Sequence, residues 1–260
     1  MVEQEILRLV EKRRRDPSDR TDVLSILIRA RDDENRGMTD MELVGQATIL
    51  FGASFETTAS TMTWTVFLLA QHPEIMCELM DELDRVLGGN APTREQLPQL
   101  SFLDRVIKES MRILPPVPFT IRAADEDQIP MGSLTLGHGA RVICSHFLTH
   151  HLPDIYPEPE RFLPDRWREI DPTQYEYMPF SAGPRACVGA MFAIQVLKIS
   201  LAIMLQKFRF TIVRGAQIDR VVRITMNPRY GMPMVLHEND RRYESSEVRG
   251  QIHEMVNLPG

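Results

Sequence analysis

From Thr39 to Gln71 nothing in the sequence breaks a helical reading, and Thr39 with Glu42 supplies a T-x-x-E capping box at its start. At 1.5 Å of rise per residue such a helix is about 48 Å long, enough to cross a whole domain. Its apolar residues, among them Ile49, Leu50, Phe51, Phe55, Met62, Trp64, Phe67 and Leu68, fall on every side. A helix that is apolar all round is expected to be central and buried, so the fold has to be built around this element. A membrane span is disfavoured, because Glu56 divides the run into uncharged stretches that are too short and too rich in threonine.

The other elements follow from periodicity and breakers. Residues 2–15 and 21–31 read as amphipathic helices separated by a D-P-S-D breaker. After the long helix, Pro73 opens another that Gly88-Gly89 closes, and a further helix from Ser101 to Arg112 stops at Pro115-Pro116. The runs FTIRAA, SLTL and ARVICS alternate like short strands. Residues 188–207 are a second apolar helix, residues 208–236 return to strands, and 237–260 read as a polar, loosely ordered tail. The expected fold class is mainly α with a small β component.

Three cysteines, Cys77, Cys144 and Cys187, form no CxxC pair and have no histidine at metal-ligand spacing. That argues against a disulfide framework and structural zinc, and it fits a reducing, cytoplasmic setting. A net charge of −6, with no basic run longer than Lys12–Arg15, gives nucleic-acid binding no support. The first residues lack the continuous apolar core of a signal peptide.

Four local features carry chemistry. Glu56-Thr57-Thr58 puts a carboxylate into an apolar helix, which costs several kcal/mol unless the charge is partnered or used. Taken singly, a partnered core glutamate is the commoner case. Glu109 and Arg112 share a helix face at i,i+3, a spacing that is most often a surface ion pair. Pro159-Glu160-Arg161-Phe162 supplies a second arginine on a proline-stiffened loop. Last, Cys187 sits between a Gly/Pro loop and an apolar helix, where a lone cysteine is ordinarily a small buried hydrophobe.

The neighbours of Cys187 favour a metal ligand instead. A sulfur at the start of a helix from Val188 would face unsatisfied backbone N–H groups and the positive end of the helix dipole, which suit an anionic ligand. Gly183 can take φ > 0, Gly189 lets a flat group approach the backbone, Phe180 can shield the sulfur, and Arg185 can meet a carboxylate at the rim of such a group.

The stretch Phe180-Ser-Ala-Gly183-Pro-Arg185-Ala-Cys187-Val-Gly189 resembles the F-x-x-G-x-R-x-C-x-G haem-ligand signature of the cytochrome P-450 family of haem-thiolate monooxygenases. Glu109 and Arg112 are similar to the family's E-x-x-R, and Arg161 to the arginine of its P-E-R-F segment; the three would form a structural ion-pair triad. Ala53-Ser54-Phe55-Glu56-Thr57-Thr58 resembles its oxygen-activating motif, with Ser54 where glycine is usual. The resemblance implies haem b (iron protoporphyrin IX) with Cys187 as axial thiolate, Arg122 on a propionate, and His150 at the family's histidine position. It implies Glu56 and Thr57 as a proton relay, a small apolar organic substrate, and electrons from a ferredoxin or flavin reductase.

The resemblance covers residues 1–236 and matches only the second half of a family member. The expected architecture is the C-terminal half of that fold, with a long central helix, a haem-binding cysteine loop, and no cover for the distal side. Two alternatives accompany this reading: an inactive haem-domain fragment, and a haem-thiolate isomerase or dehydratase, against which the intact Glu56-Thr57 pair speaks.

Overall fold

In a computed structural model, which describes residues 2–16, 18 and 20–259, packing divides the chain into two units between Glu56 and Thr57. The first holds α1 (Val2–Arg15) and α2 (Val23–Arg29). Helix α1 carries Glu3 and Glu5 in its first turn and Lys12 to Arg15 in its last, matching the helix dipole at both ends. Asp22 caps α2 by accepting the Ser25 N–H at 3.1 Å. This helix is shorter than 21–31, because Arg31 leaves it to form a bridge with Gly37.

Helix α3 (Asp40–Gln71) starts at the expected capping box: the Glu42 N–H donates to Thr39 Oγ1 at 3.3 Å and the Thr39 N–H to Glu42 Oε2 at 2.7 Å. It is continuous, but it is not buried throughout. Leu43 and Val44 are buried near its start, Ile49, Phe51 and Phe55 are 64%, 77% and 74% exposed, and the side chains close into the core again from Ser60 onward. All-round apolarity marks what a helix can bury, and it does not guarantee that every turn is covered.

The second unit contains the larger core. Helix α4 (Pro73–Leu87) ends at Gly88, whose φ of 55° is the left-handed cap expected of glycine. Helix α5 (Ser101–Ile113) is capped by a side chain from α4: the buried Glu82 carboxylate accepts the Phe102 and Leu103 N–H groups at 2.8 and 2.9 Å. Strand β1 (Phe119–Ala123) pairs antiparallel with β4 (Arg141–Ser145), after the hairpin β2 (Ile129–Met131)–β3 (Leu134–Leu136). One turn of helix, α6 (His146–Thr149), leads into a long segment without strands, and α7 (Ala190–Lys207) follows the cysteine loop.

Among the described residues α7 is the one helix long and apolar enough to cross a membrane. Its Leu197, Leu201, Ala202 and Leu205 lie in the core, and its Lys198 meets Asp104 at 3.5 Å.

Strand β5 (Phe208–Ile212) pairs antiparallel with β9 (Met234–Glu238), β6 (Ala216–Gln217) runs parallel to β10 (Val248–Arg249), and β7 (Arg220–Val222) forms a hairpin with β8 (Met226–Pro228). The Met226 carbonyl accepts Ser60 Oγ–H at 2.7 Å and Trp64 Nε1–H at 2.9 Å, which fixes the buried part of α3 to β8.

The segment after 236 is not a loose tail. Ile252, Met255 and Val256 are buried in the main core, and the Asn257 N–H donates to the Glu160 carbonyl at 2.8 Å. Gly250 makes the turn into this segment at φ 105°, where a Cβ would collide with the Asp219 carboxylate and the Ile218 carbonyl. Ile252→Ala should therefore lower unfolding free energy by roughly 2–5 kcal/mol, read as a drop in the urea midpoint, whereas Glu254→Ala on the exposed side should leave it unchanged.

Candidate functional site

Helix α5 buries the Glu109 carboxylate with no solvent exposure, and five N–H groups point at it. Arg112, one turn on, donates Nε–H to Oε2 and Nη2–H to Oε1, both at 2.9 Å. Arg166 Nε–H reaches Oε1 at 2.9 Å, Trp167 Nε1–H reaches Oε2 at 3.0 Å, and the Leu163 N–H reaches Oε1 at 3.1 Å. A buried carboxylate is tolerable on these terms, with its charge opposed and its lone pairs filled.

The second arginine on Glu109 is thus Arg166, not Arg161. The Arg161 guanidinium is half-exposed and pairs with Glu158 at 2.6 Å; only its carbonyl joins the cluster, accepting from Arg112 Nη2 at 3.3 Å. The signal for Arg166 was in the sequence, because Pro164-Asp165-Arg166-Trp167 repeats the proline, acid, arginine, aromatic pattern five residues further on. Arg166 begins the work of holding the loop: its Nη1 and Nη2 donate to the Pro157 and Glu158 carbonyls at 2.6 and 3.1 Å.

Cys187 is exposed at the end of a tight loop. Its N–H donates to the Phe180 carbonyl at 2.8 Å, and between them Ser181 and Gly183 take φ of 61° and 69°. Glycine adopts that conformation freely, whereas Ser181 holds it at some strain. Helix α7 starts at Ala190 rather than Val188, so Cys187 precedes it by three residues and its carbonyl accepts the Ala190 N–H at 3.4 Å. A Cβ at Gly189 would stand 3.8 Å from Cys187 Sγ, so glycine keeps the space beside the sulfur clear. The Phe180 ring packs against the core, and the sulfur beyond it stays exposed.

Arg185 and Arg122 are both exposed, and neither meets a carboxylate of the chain among the described residues. On α3, Glu56 is exposed and Thr57 half-buried, with the Thr57 carbonyl accepting Thr61 Oγ1–H at 2.9 Å. Ser54 Oγ–H is donated to the Phe51 carbonyl at 3.0 Å.

The family model for cytochrome P-450 matches residues 1–232 of this chain. The chain belongs to the cytochrome P-450 family. It is 37% identical over 207 residues to cyclooctatin synthase of Streptomyces melanosporofaciens, an alignment covering 78% of this chain and 45% of that protein. It is 34% identical over 221 residues to pentalenene oxygenase of Streptomyces avermitilis, covering 84% and 49%. Among solved structures, a retinoic acid-bound cyanobacterial CYP120A1 superposes with a TM-score of 0.83 at 29% identity, covering 91% of this chain and 55% of that one. The chain spans about half the length of the curated relatives it matches.

The residues present fit the prosthetic group of cytochrome P-450. Among the described residues no group of three or more His, Cys, Asp or Glu side chains could hold a bare metal ion, and a lone thiolate such as Cys187 is the kind of single protein ligand that a haem iron takes. A soft sulfur with clear space beside it and two guanidinia without carboxylate partners meet that requirement.

Two outcomes follow from the geometry. Arg166→Ala should cost about 3–5 kcal/mol in urea unfolding, because it strips a buried carboxylate of a partner, while Arg161→Ala should leave the midpoint nearly unchanged. Burial also pushes four histidines down, His72, His146, His150 (to about 3) and His151. The unfolded chain then binds more protons than the folded one below about pH 6.5, so stability should fall steadily as pH drops from 7 towards 4, followed by urea midpoints.

Proposed function

We propose that the protein acts as a haem-thiolate monooxygenase that inserts one atom of dioxygen into a small apolar organic substrate. Its electrons would come from a separate ferredoxin or flavin reductase. The observation that carries the reading is Cys187, an exposed lone thiol on a loop tied by the Phe180 carbonyl and kept open by Gly189. Two relatives are named for oxidising pentalenene and cyclooctat-9-en-7-ol, which supports the substrate class.

In this reading Cys187 would hold haem b through its sulfur, and Arg185 and Arg122 would meet its propionates. Haem held by a thiolate supplies the dioxygen chemistry, the sulfur favouring O–O cleavage. The chain's own residues do the rest. Gly189 leaves the face beside the sulfur clear, and the hydrogen bond from the Cys187 N–H holds the loop in place. Glu56, exposed a few residues before α3 is buried again at Ser60, would take protons from solvent, and the neighbouring Thr57 hydroxyl would hand them on.

Reduction of the haem-loaded protein under carbon monoxide tests this. A red-shifted thiolate band should appear, persist in Cys77→Ser and Cys144→Ser, and vanish in Cys187→Ser. A band that survives Cys187→Ser would overturn the ligand assignment.

A further inference from the structure

One buried side chain joins the carboxylate cluster to the cysteine loop. His150 follows α6, and its side chain has no solvent exposure. Its carbonyl accepts Arg112 Nη1–H at 2.8 Å, and its ring Nε2 accepts the Met178 N–H at 2.9 Å. Two residues beyond Met178 is Phe180, whose carbonyl accepts the Cys187 N–H at 2.8 Å. A short path of hydrogen bonds therefore runs from Glu109 through Arg112 and His150 to the backbone that carries the sulfur.

The ring of His150 is set for this and for little else. An Nε2 that accepts carries no proton, so the proton resides on Nδ1, which is buried and has at best the backbone of Arg112 near it, without a well-aligned hydrogen bond. An orphaned polar atom in a core costs stability, and an apolar ring would avoid that cost. What an apolar ring cannot do is accept from Met178. The surroundings keep the ring fixed and neutral. Tyr177 and Tyr156 lie 5.4 and 6.3 Å away, centre to centre, and the Tyr177 hydroxyl is itself donated to the Lys108 carbonyl at 3.0 Å. Burial first, then the nearby His146, Arg112 and His151, hold its pKa down at about 3, so Nε2 stays an acceptor over the whole ordinary pH range.

We propose that His150 is a positioning residue for Cys187: its Nε2 fixes the Met178–Phe180 segment, and through the Phe180 carbonyl it fixes the loop that presents the sulfur. The functional meaning of that placement rests on Cys187 being the haem ligand, but the placement itself does not.

Amide hydrogen exchange by NMR, on the whole chain before haem is added, separates the two. In His150→Phe, which keeps a ring and loses the acceptor, the Met178 and Cys187 amides should exchange at least tenfold faster, while Val106 and Ile107 in α5 keep their rates. His150→Gln, whose amide oxygen reaches as far as Nε2, should restore both slow amides, and the shorter His150→Asn should not. After haem loading, the carbon monoxide band of His150→Phe should lose intensity at the thiolate position, and His150→Gln should keep it. Unchanged Cys187 exchange in His150→Phe, or equal acceleration throughout α5, would overturn the proposal. Should His150→Phe fail to fold, the Gln and Asn variants decide: identical exchange in both also overturns it. A chain that takes up no haem would refute the monooxygenase reading and leave the exchange result standing.

Discussion

The Glu109 carboxylate is the point on which the irregular half of the molecule depends. It has no solvent exposure, and taking a carboxylate out of water is worth several kcal/mol against folding. Two arginines oppose its charge and five N–H groups fill its lone pairs. Neither arginine ends its work there. Arg112 goes on to the His150 and Arg161 carbonyls, and Arg166 to those of Pro157, Glu158 and Arg161. Each guanidinium is a planar fork with five donors in fixed directions, so the cluster prescribes where those carbonyls lie.

That prescription replaces secondary structure. Between the end of α6 at Thr149 and the start of α7 at Ala190 the chain has no strand and only short 3-10 turns, so ladder hydrogen bonds cannot shape it. Buried backbone groups there still need partners, and the cluster and its aromatic neighbours provide them. Tyr156 donates its hydroxyl to the Glu176 carbonyl and Tyr177 to that of Lys108, while Trp167 packs edge-on against Tyr177 at 4.6 Å. The segment therefore arrives at Phe180 with little freedom left. Within the loop itself, Ser181 and Gly183 are already committed to left-handed backbone.

The sequence made the locally encoded parts legible. The capping box of α3, the Pro73 start and Gly88 end of α4, the extent of α5 and the strands β1, β3 and β4 all depend on residues close together in the chain. The cysteine loop was legible for the same reason, its glycines, arginine and sulfur lying within ten residues. What depended on distant partners was misread. The letters of Pro159 to Phe162 gave a better match than Pro164 to Trp167, yet only the later arginine reaches Glu109, a fact set by the fold of the loop. The final segment looked polar because Ile252, Met255 and Val256 are scattered among charges, and their shared face exists only once Gly250 has turned the chain.

The uneven burial of α3 bears on the proposed proton relay. A helix buried from end to end would take the Glu56 charge out of water, at a cost of several kcal/mol. Here α3 buries Leu43 and Val44 near its start, is exposed or half-buried from Gly45 to Ala59, and is buried again from Ser60, where Ser60 and Trp64 both bind the Met226 carbonyl. Glu56 thus stands four residues before a rigid anchor and still faces water. In the proposed relay Glu56 would exchange protons with solvent, and the half-buried Thr57 beside it in the sequence would carry the next hydroxyl.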